Sequence, residues 1–156
     1  MSEAVAEILG RIPSGLFVLT VRHNESDSGM LASWVMQAGF EPPMVSVAVR
    51  NDRHIAEWLT AGSPFVLHVL PTGHKDLLKH FGRGFEPGEP ALEGLKFDRC
   101  PGGVAVIKGT VGHLECKPVS HADSGDHRIF LAQVTGGSLD LHEPPSVHLR
   151  KNGLRY

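Results

Sequence analysis

With 156 residues, 15 Lys and Arg against 17 Asp and Glu, and a formal net charge of −2 with histidines neutral, the chain has the size of one compact domain over 1–156. A chain of this length buries roughly 70% of the surface its unfolded form exposes, so a core is expected without disulfides or a structural metal. The 41% hydrophobic and 21% charged contents exclude disordered and membrane classes, and the lack of a basic excess argues against nucleic acid as a partner.

The opening MSEAVAEILGRI carries acids where an export signal needs a basic region. No run reaches the roughly 20 apolar residues of a membrane span. Cys100 and Cys116 form no C-x-x-C pair, which suggests reduced thiols in a cytoplasm, with small core residues as their plainest role.

Val5, Ile8, Leu9 and Ile12 recur at helical spacing behind a Ser2 cap, and Pro13 and Gly15 end the pattern, predicting a short helix with that apolar face inward. Residues 15–22 are rich in β-formers. The polar run 23–29 reads as a turn into a second strand over 30–38, and Val45, Val47 and Val49 alternate on a third over 44–50. Asn51 and Asp52 offer caps for a helix with Ile55, Trp58 and Leu59, stopped at Gly62. A strand over 64–70 follows, then a short helix from Thr72 or Gly73 that ends at Gly82 with Leu77, Leu78 and Phe81 inward.

Residues 83–103 read as an irregular loop rich in Pro and Gly, a candidate lid or subunit contact. Residues 104–117 read as two short strands or one bent at Gly109 and Gly112. A strand over 128–134 follows, and 147–156 suggests a closing hairpin. Many short strands, few helices and no β-α alternation predict a mainly β fold, an antiparallel barrel with small flanking helices.

Ten histidines invite a metal hypothesis, but the pairs His74/His80 and His121/His127 lie six apart and fit no standard zinc spacing. No G-x-S-x-G nucleophile motif and no Walker loop occur, and Gly82-Arg83-Gly84 has Pro87 where a dinucleotide fingerprint needs its third glycine. Gly29-Met30-Leu31-Ala32-Ser33-Trp34 offers small and hydroxylic residues where a backbone can approach a phosphate, or the small-residue face of an ordinary strand.

Read together, GMLASWVMQAGFEPPMVSVAV over 29–49 resembles the flavin reductase family. Gly125-Asp126-His127 with the strand after it, Leu114-Glu115-Cys116 before it, Ile12-Pro13-Ser14-Gly15 and Val18-Leu19-Thr20 are similar to further family elements. Ala32-Ser33-Trp34-Val35, Lys79-His80-Phe81, Phe85-Glu86-Pro87-Gly88 and the ending from Val147 through Tyr156 also resemble the C-terminal flavin reductase module of some cyanobacterial flavodiiron proteins. The resemblance implies an FMN-binding split barrel of six antiparallel strands, a homodimer with flavin near the subunit interface. Many family members have Thr where this sequence has Leu31, so one hydroxyl contact is lost. The metal and flavodoxin-like domains of the flavodiiron proteins do not fit within 156 residues.

By the same resemblance Met30, Leu31, Ala32, Ser33 and Trp34 line the flavin, with Trp34 equally able to be core. Arg50, Asn51 and His54 fall where the family contacts phosphate, aided by a following helix N-terminus. Phe81 and Arg83 fall near the flavin or the interface. Asp126 is expected to orient His127 as the catalytic pair on the flavin or nicotinamide side, or else the two simply form a turn. The implied function is an NAD(P)H:flavin oxidoreductase holding FMN, with FAD as the other candidate, and passing electrons to a downstream acceptor protein. The alternative is a nonenzymatic or partner-dependent FMN module; other split barrels bind a deazaflavin or haem.

Overall fold

The computed structural model describes residues 1–73 and 75–155, so His74 of the His74/His80 pair and Tyr156 of the expected hairpin lie outside the described residues. In chain order the elements are α1 (Glu3–Gly10), β1 (Ser14–Gly15), β2 (Phe17–His23), β3 (Ser26–Ala32), β4 (Val35–Gly39), β5 (Met44–Arg50), α2 (His54–Thr60) and β6 (Phe65–Val69). They continue with α3 (Asp76–Phe81), β7 (Phe97–Arg99), β8 (Ala105–Ile107), β9 (Gly112–Ser124), β10 (His127–Leu139) and β11 (Val147–His148).

The main sheet is antiparallel, with strand order β3-β2-β6-β9-β10-β5-β4. Its outermost strands, β3 and β4, are consecutive in the chain and joined by Ser33 and Trp34 alone. The sheet therefore curls until its edges meet at that corner, which is the split-barrel form. The strand expected over 30–38 divides there, so the sheet counts seven strands, the six expected plus the edge strand β4.

The expected turn over 23–29 is shorter, because Asn24 and Glu25 both take positive φ (47° and 65°) and form the two-residue connection that right-twisted strands favour. Hence β3 starts at Ser26. Its polar side chains hid it, yet they are used: Asp27 accepts from Arg22 (3.2 Å) and from both terminal nitrogens of Arg99 (2.8 and 2.9 Å). The Arg99 hydrogen bonds hold its carboxyl below the usual range.

Val45, Val47 and Val49 all face inward as their alternation requires, and pack with Leu19, Phe65, Leu67 and Phe130. A second cluster joins Val18, Leu70, Phe81 and Ile107. At its edge His68 has no exposed surface; its Nδ1 donates to the Val18 carbonyl and its Nε2 accepts from the Ile107 amide, each at 2.9 Å.

The irregular stretch 83–103 contains β7, paired with β8 through the turn at 100–103 (Phe97↔Ile107). Residues 104–117 give β8 and the start of β9. The expected strand 128–134 is the middle of a 13-residue β10, matched by a 13-residue β9. Pro118 and Gly136-Gly137 obscured those lengths, and register shifts at Leu131/Ala132 and Val134/Gly136 absorb them.

Four smaller expectations are corrected. Arg53, not Asn51 or Asp52, caps α2, and it makes no side-chain cap bond. α3 starts at Asp76, because the Thr72 hydroxyl instead donates to the carbonyls of Pro144 and Pro145. The closing hairpin is absent among the described residues: β11 pairs with β1 (Ser14↔His148), and the tail then runs along α1, with Arg150 N–H to Gly10 O at 2.9 Å and Gly153 N–H to Ala6 O at 2.7 Å. That tail covers the Ala6 and Gly10 side of α1, so Val5, Ile8 and Ile12 point outward at 36%, 62% and 62% exposure, although Ser2 caps the helix as expected.

Candidate functional site

The β3/β4 corner lies in a cleft. Ala32 closes the last β3 pairing (Phe17↔Ala32), β4 resumes at Val35, and the Trp34 carbonyl accepts from Ala48 N–H at 3.0 Å, fixing the corner to β5. Met30, Leu31, Ala32, Ser33 and Trp34 line one side with Ala48, and Phe81 of α3 with Gly82, which caps that helix, supplies another. The cleft itself is about 170 Å³ and opens to solvent on one side. Phe81 serves core and cleft at once: it is fully buried, and its ring lies so close to Gly29 that a Cβ there would stand 2.8 Å from Phe81 Cε1.

Cationic groups stand on the same walls. Arg50, at the end of β5, pairs with Asp52 at 3.0 Å, yet its buried Nε has no hydrogen-bond partner among the described residues. Arg53 lines the cleft too, and its guanidinium rests on Gly84, where any Cβ would overlap it. His148 enters from β11, and the Arg150 guanidinium lies 5.1 Å over the Trp34 ring.

His127 sits behind the corner rather than in it. It pairs across the sheet with Arg50, and its ring packs on Trp34 with centroids 4.7 Å apart. Its Nδ1 donates to Asp126 Oδ1 at 2.7 Å, and that bond holds the Asp126 carboxyl below its usual range. His127 is thereby oriented, and it reaches the cleft through Trp34.

Of the other residues singled out from sequence, Asn51, His54 and Arg83 are not brought to the cleft. Asn51 staples the β9–β10 turn, its amide N–H to Asp126 O (2.9 Å) and its side chain to Gly125 O (3.2 Å). Arg83 pairs with Glu89 at 3.6 Å and lies over Phe85 in an adjoining groove. His54 meets the Ser28 hydroxyl at 2.8 Å and Trp58 edge-on, and burial pushes its pKa down. Ser28→Ala is expected to lose about 1 kcal/mol of stability, read by urea unfolding, since one buried hydrogen bond goes; an unchanged midpoint would show that the pair contributes nothing. Sequence reading missed Leu16, Ala48, Arg53, Gly82 and His148 as lining. Arg53 lies between Asn51 and His54, which the resemblance did single out, while nothing local marks a tail histidine as part of a cleft.

An apolar slot beside an indole, a hydroxyl at its corner, and two guanidiniums, one with an unsatisfied buried nitrogen, fit a flat ring carrying a phosphate. A family model described as a flavin reductase like domain matches residues 9–153. The chain belongs to this flavin reductase family. Membership places it among flavin-binding oxidoreductases, and the expected kinship and fold hold.

This flavin reductase-like chain is 38% identical over 150 residues to the putative diflavin flavoprotein A 3 of Nostoc sp. (strain PCC 7120). It is 39% identical over 150 residues to diflavin flavoprotein A 1 of Synechocystis sp. (strain PCC 6803). Each alignment covers 95% of this chain and 26% of the relative, so the chain spans about a quarter of those proteins' length. Among solved structures, the NADH:FAD oxidoreductase SgcE6 of Streptomyces globisporus C-1027 matches with a TM-score of 0.85 at 28% identity, covering 92% of this chain and 85% of that one. BorF, the flavin reductase component of a bacterial two-component tryptophan halogenase, shares the fold with a TM-score of 0.84 at 21% identity, covering 96% and 94%.

Proposed function

We propose that residues 1–156 act as one unit that binds FMN in the corner cleft and works as an NAD(P)H:flavin oxidoreductase. The observation that carries this reading is the pairing of an apolar slot at the β3/β4 corner with Arg50 and Arg53 on its walls. A flavin held there would supply the two-electron chemistry that links a reduced nicotinamide to a downstream acceptor protein. Arg50 and Arg53 neutralise the phosphate, Ser33 offers its hydroxyl, and Met30, Leu31 and Trp34 exclude water from the ring. His127, oriented by Asp126, braces Trp34 against it.

FMN is favoured over FAD by the groove beyond Arg53, where Asp52, Glu86 and Glu89 stand with Arg53, His54 and Arg83, and Arg83 is already engaged with Glu89, so no uncommitted cationic cluster awaits a second phosphate. An added phosphate there would meet Glu86 and would have to compete with Glu89 for Arg83. The Streptomyces relative is an NADH:FAD oxidoreductase, so titration with both nucleotides is the direct test: tighter FMN is expected, and equal or tighter FAD would reverse the choice.

A homodimer is supported by Met36 and Phe40, 69% and 89% exposed beside the corner, and by Val119 and Leu131 on the long β9–β10 arm; light scattering reads it. No helix of the described residues is long and apolar enough to cross a membrane. The unpaired Cys100 and Cys116 favour a reducing compartment such as the cytoplasm. A partner-dependent FMN module is the second reading.

Anaerobic mixing of the FMN-loaded chain with NADH or NADPH separates the two, since only an oxidoreductase bleaches the flavin rapidly alone. His127→Ala is expected to slow that bleaching about tenfold while FMN content stays near normal, because one orienting contact behind Trp34 is removed. An unchanged rate would leave His127 a turn residue, and loss of FMN would make it part of the binding wall.

A further inference from the structure

The last strand and the tail after it carry their polarity the unusual way round. Side chains on an extended segment alternate between faces, and here Val147 and Leu149 point outward at 72% and 61% exposure while His148 and Arg150 are the half-buried pair. Packing alone would favour the opposite arrangement. The backbone holds the segment without help from these side chains. Ser146 N–H donates to Leu70 O (2.8 Å) and its hydroxyl to Pro71 O (2.9 Å), β11 pairs with β1, and Arg150 and Gly153 amides bond to Gly10 and Ala6 of α1. Gly10 and Gly153 permit that approach, since a Cβ on either would overlap the facing chain. This strap thus delivers an imidazole to the cleft and places a guanidinium over the Trp34 ring, 5.1 Å from its centre.

Arg50 and Arg53 already answer a flavin phosphate, so the strap's two groups are available to a second anionic ligand at the same cleft. We propose that Arg150 and His148 bind the pyrophosphate of the reduced nicotinamide dinucleotide and so set where the reductant lies against Trp34, an assignment that rests on the flavin reading of the cleft. A guanidinium suits this because it grips phosphate oxygens in a bidentate fork. His148 adds one donor beside it, whether neutral or charged.

The test uses the FMN-loaded chain, mixed anaerobically with NADH over a range of concentrations in a stopped-flow instrument, with FMN affinity measured separately by fluorescence quenching. Arg150→Ala is expected to raise the half-saturating NADH roughly tenfold or more, the usual loss with a charge-assisted hydrogen bond. The limiting reduction rate and FMN affinity should stay within about twofold. Arg150→Lys recovers part of the loss, and His148→Ala shifts half-saturation in the same direction by less. Gly153→Ala keeps both side chains but displaces the strap from α1, and it too is expected to weaken NADH. Unchanged half-saturation in Arg150→Ala overturns the assignment, as does FMN affinity falling as far as NADH affinity, which would place Arg150 in the flavin's own wall. If the unaltered chain takes up no flavin, the reading of the cleft itself fails and the strap's role falls with it.

Discussion

Arg50→Ala is expected to weaken FMN by roughly 10- to 150-fold, the range for one charge-assisted contact of about 1.5–3 kcal/mol, while riboflavin changes little. Only FMN carries the phosphate dianion, so the difference between the two ligands isolates the contact from general damage to the cleft. Arg50 is poised to take it. Its partner Asp52 is 64% exposed, and so open an ion pair contributes little to stability; exchanging that carboxylate for phosphate is cheap. The buried Nε of Arg50 has no partner among the described residues, and a ligand oxygen would satisfy it. Arg53 remains in the variant, which keeps the loss short of abolition. Isothermal titration with both ligands reads the result, and equal weakening of FMN and riboflavin would move Arg50 away from the phosphate.

Acidification from pH 6.5 to 4 is expected to remove about 3 kcal/mol of folding stability through His68. Burial pushes its pKa down to about 4 from the usual 6.5. Both ring nitrogens are already engaged as a neutral imidazole engages them, one donating and one accepting. The unfolded chain takes up a proton as the pH falls through 6.5, and the folded chain resists until about 4. In that window the unfolded state binds more protons, so stability rises with pH. At 1.36 kcal/mol per pKa unit the difference of about 2.5 units gives the stated loss. Above pH 6.5 the effect is absent, and below 4 it grows no further. His54, also pushed down by burial, acts in the same direction. Urea unfolding at pH 7.5 and 4.5, set against His68→Gln, isolates the His68 share of the slope. A His68 that titrates near 6.5 by nitrogen-15 NMR in the folded protein would remove the prediction.

Residues that act within one element were legible from sequence. The alternation of Val45, Val47 and Val49 named the inner face of β5, whereas the segment 29–34 pointed to the lining only through its resemblance to the flavin reductase family, its small and hydroxylic residues fitting an ordinary strand as well. What escaped depends on contacts distant in the chain. Ser33-Trp34 contains no glycine or proline to announce the break between β3 and β4; the break exists because each half pairs with a different edge of the sheet. The apolar stripe of α1 predicted a buried face, but the tail chose the side of Ala6 and Gly10, where small residues let its backbone approach. His148 joins the cleft through a pairing 134 residues away, Ser14↔His148. The lengths of β9 and β10 were hidden by Pro118 and Gly136-Gly137, which a strand tolerates where a bulge takes up the irregularity.

The two-residue corner has a kinetic consequence. β3 and β4 are neighbours in the chain, yet five other strands stand between them across the ladder. No local hairpin can bring Ser33 and Trp34 against Ala48, Phe81 and His148 together, and the loop-closure entropy of each intervening pairing must be met first. The ligand pocket is therefore among the last things the chain completes as it folds. A ligand that recognises the finished corner draws on the cooperativity of the whole sheet: its binding should slow global unfolding and protect amides in β6 and β9, far from any atom it touches.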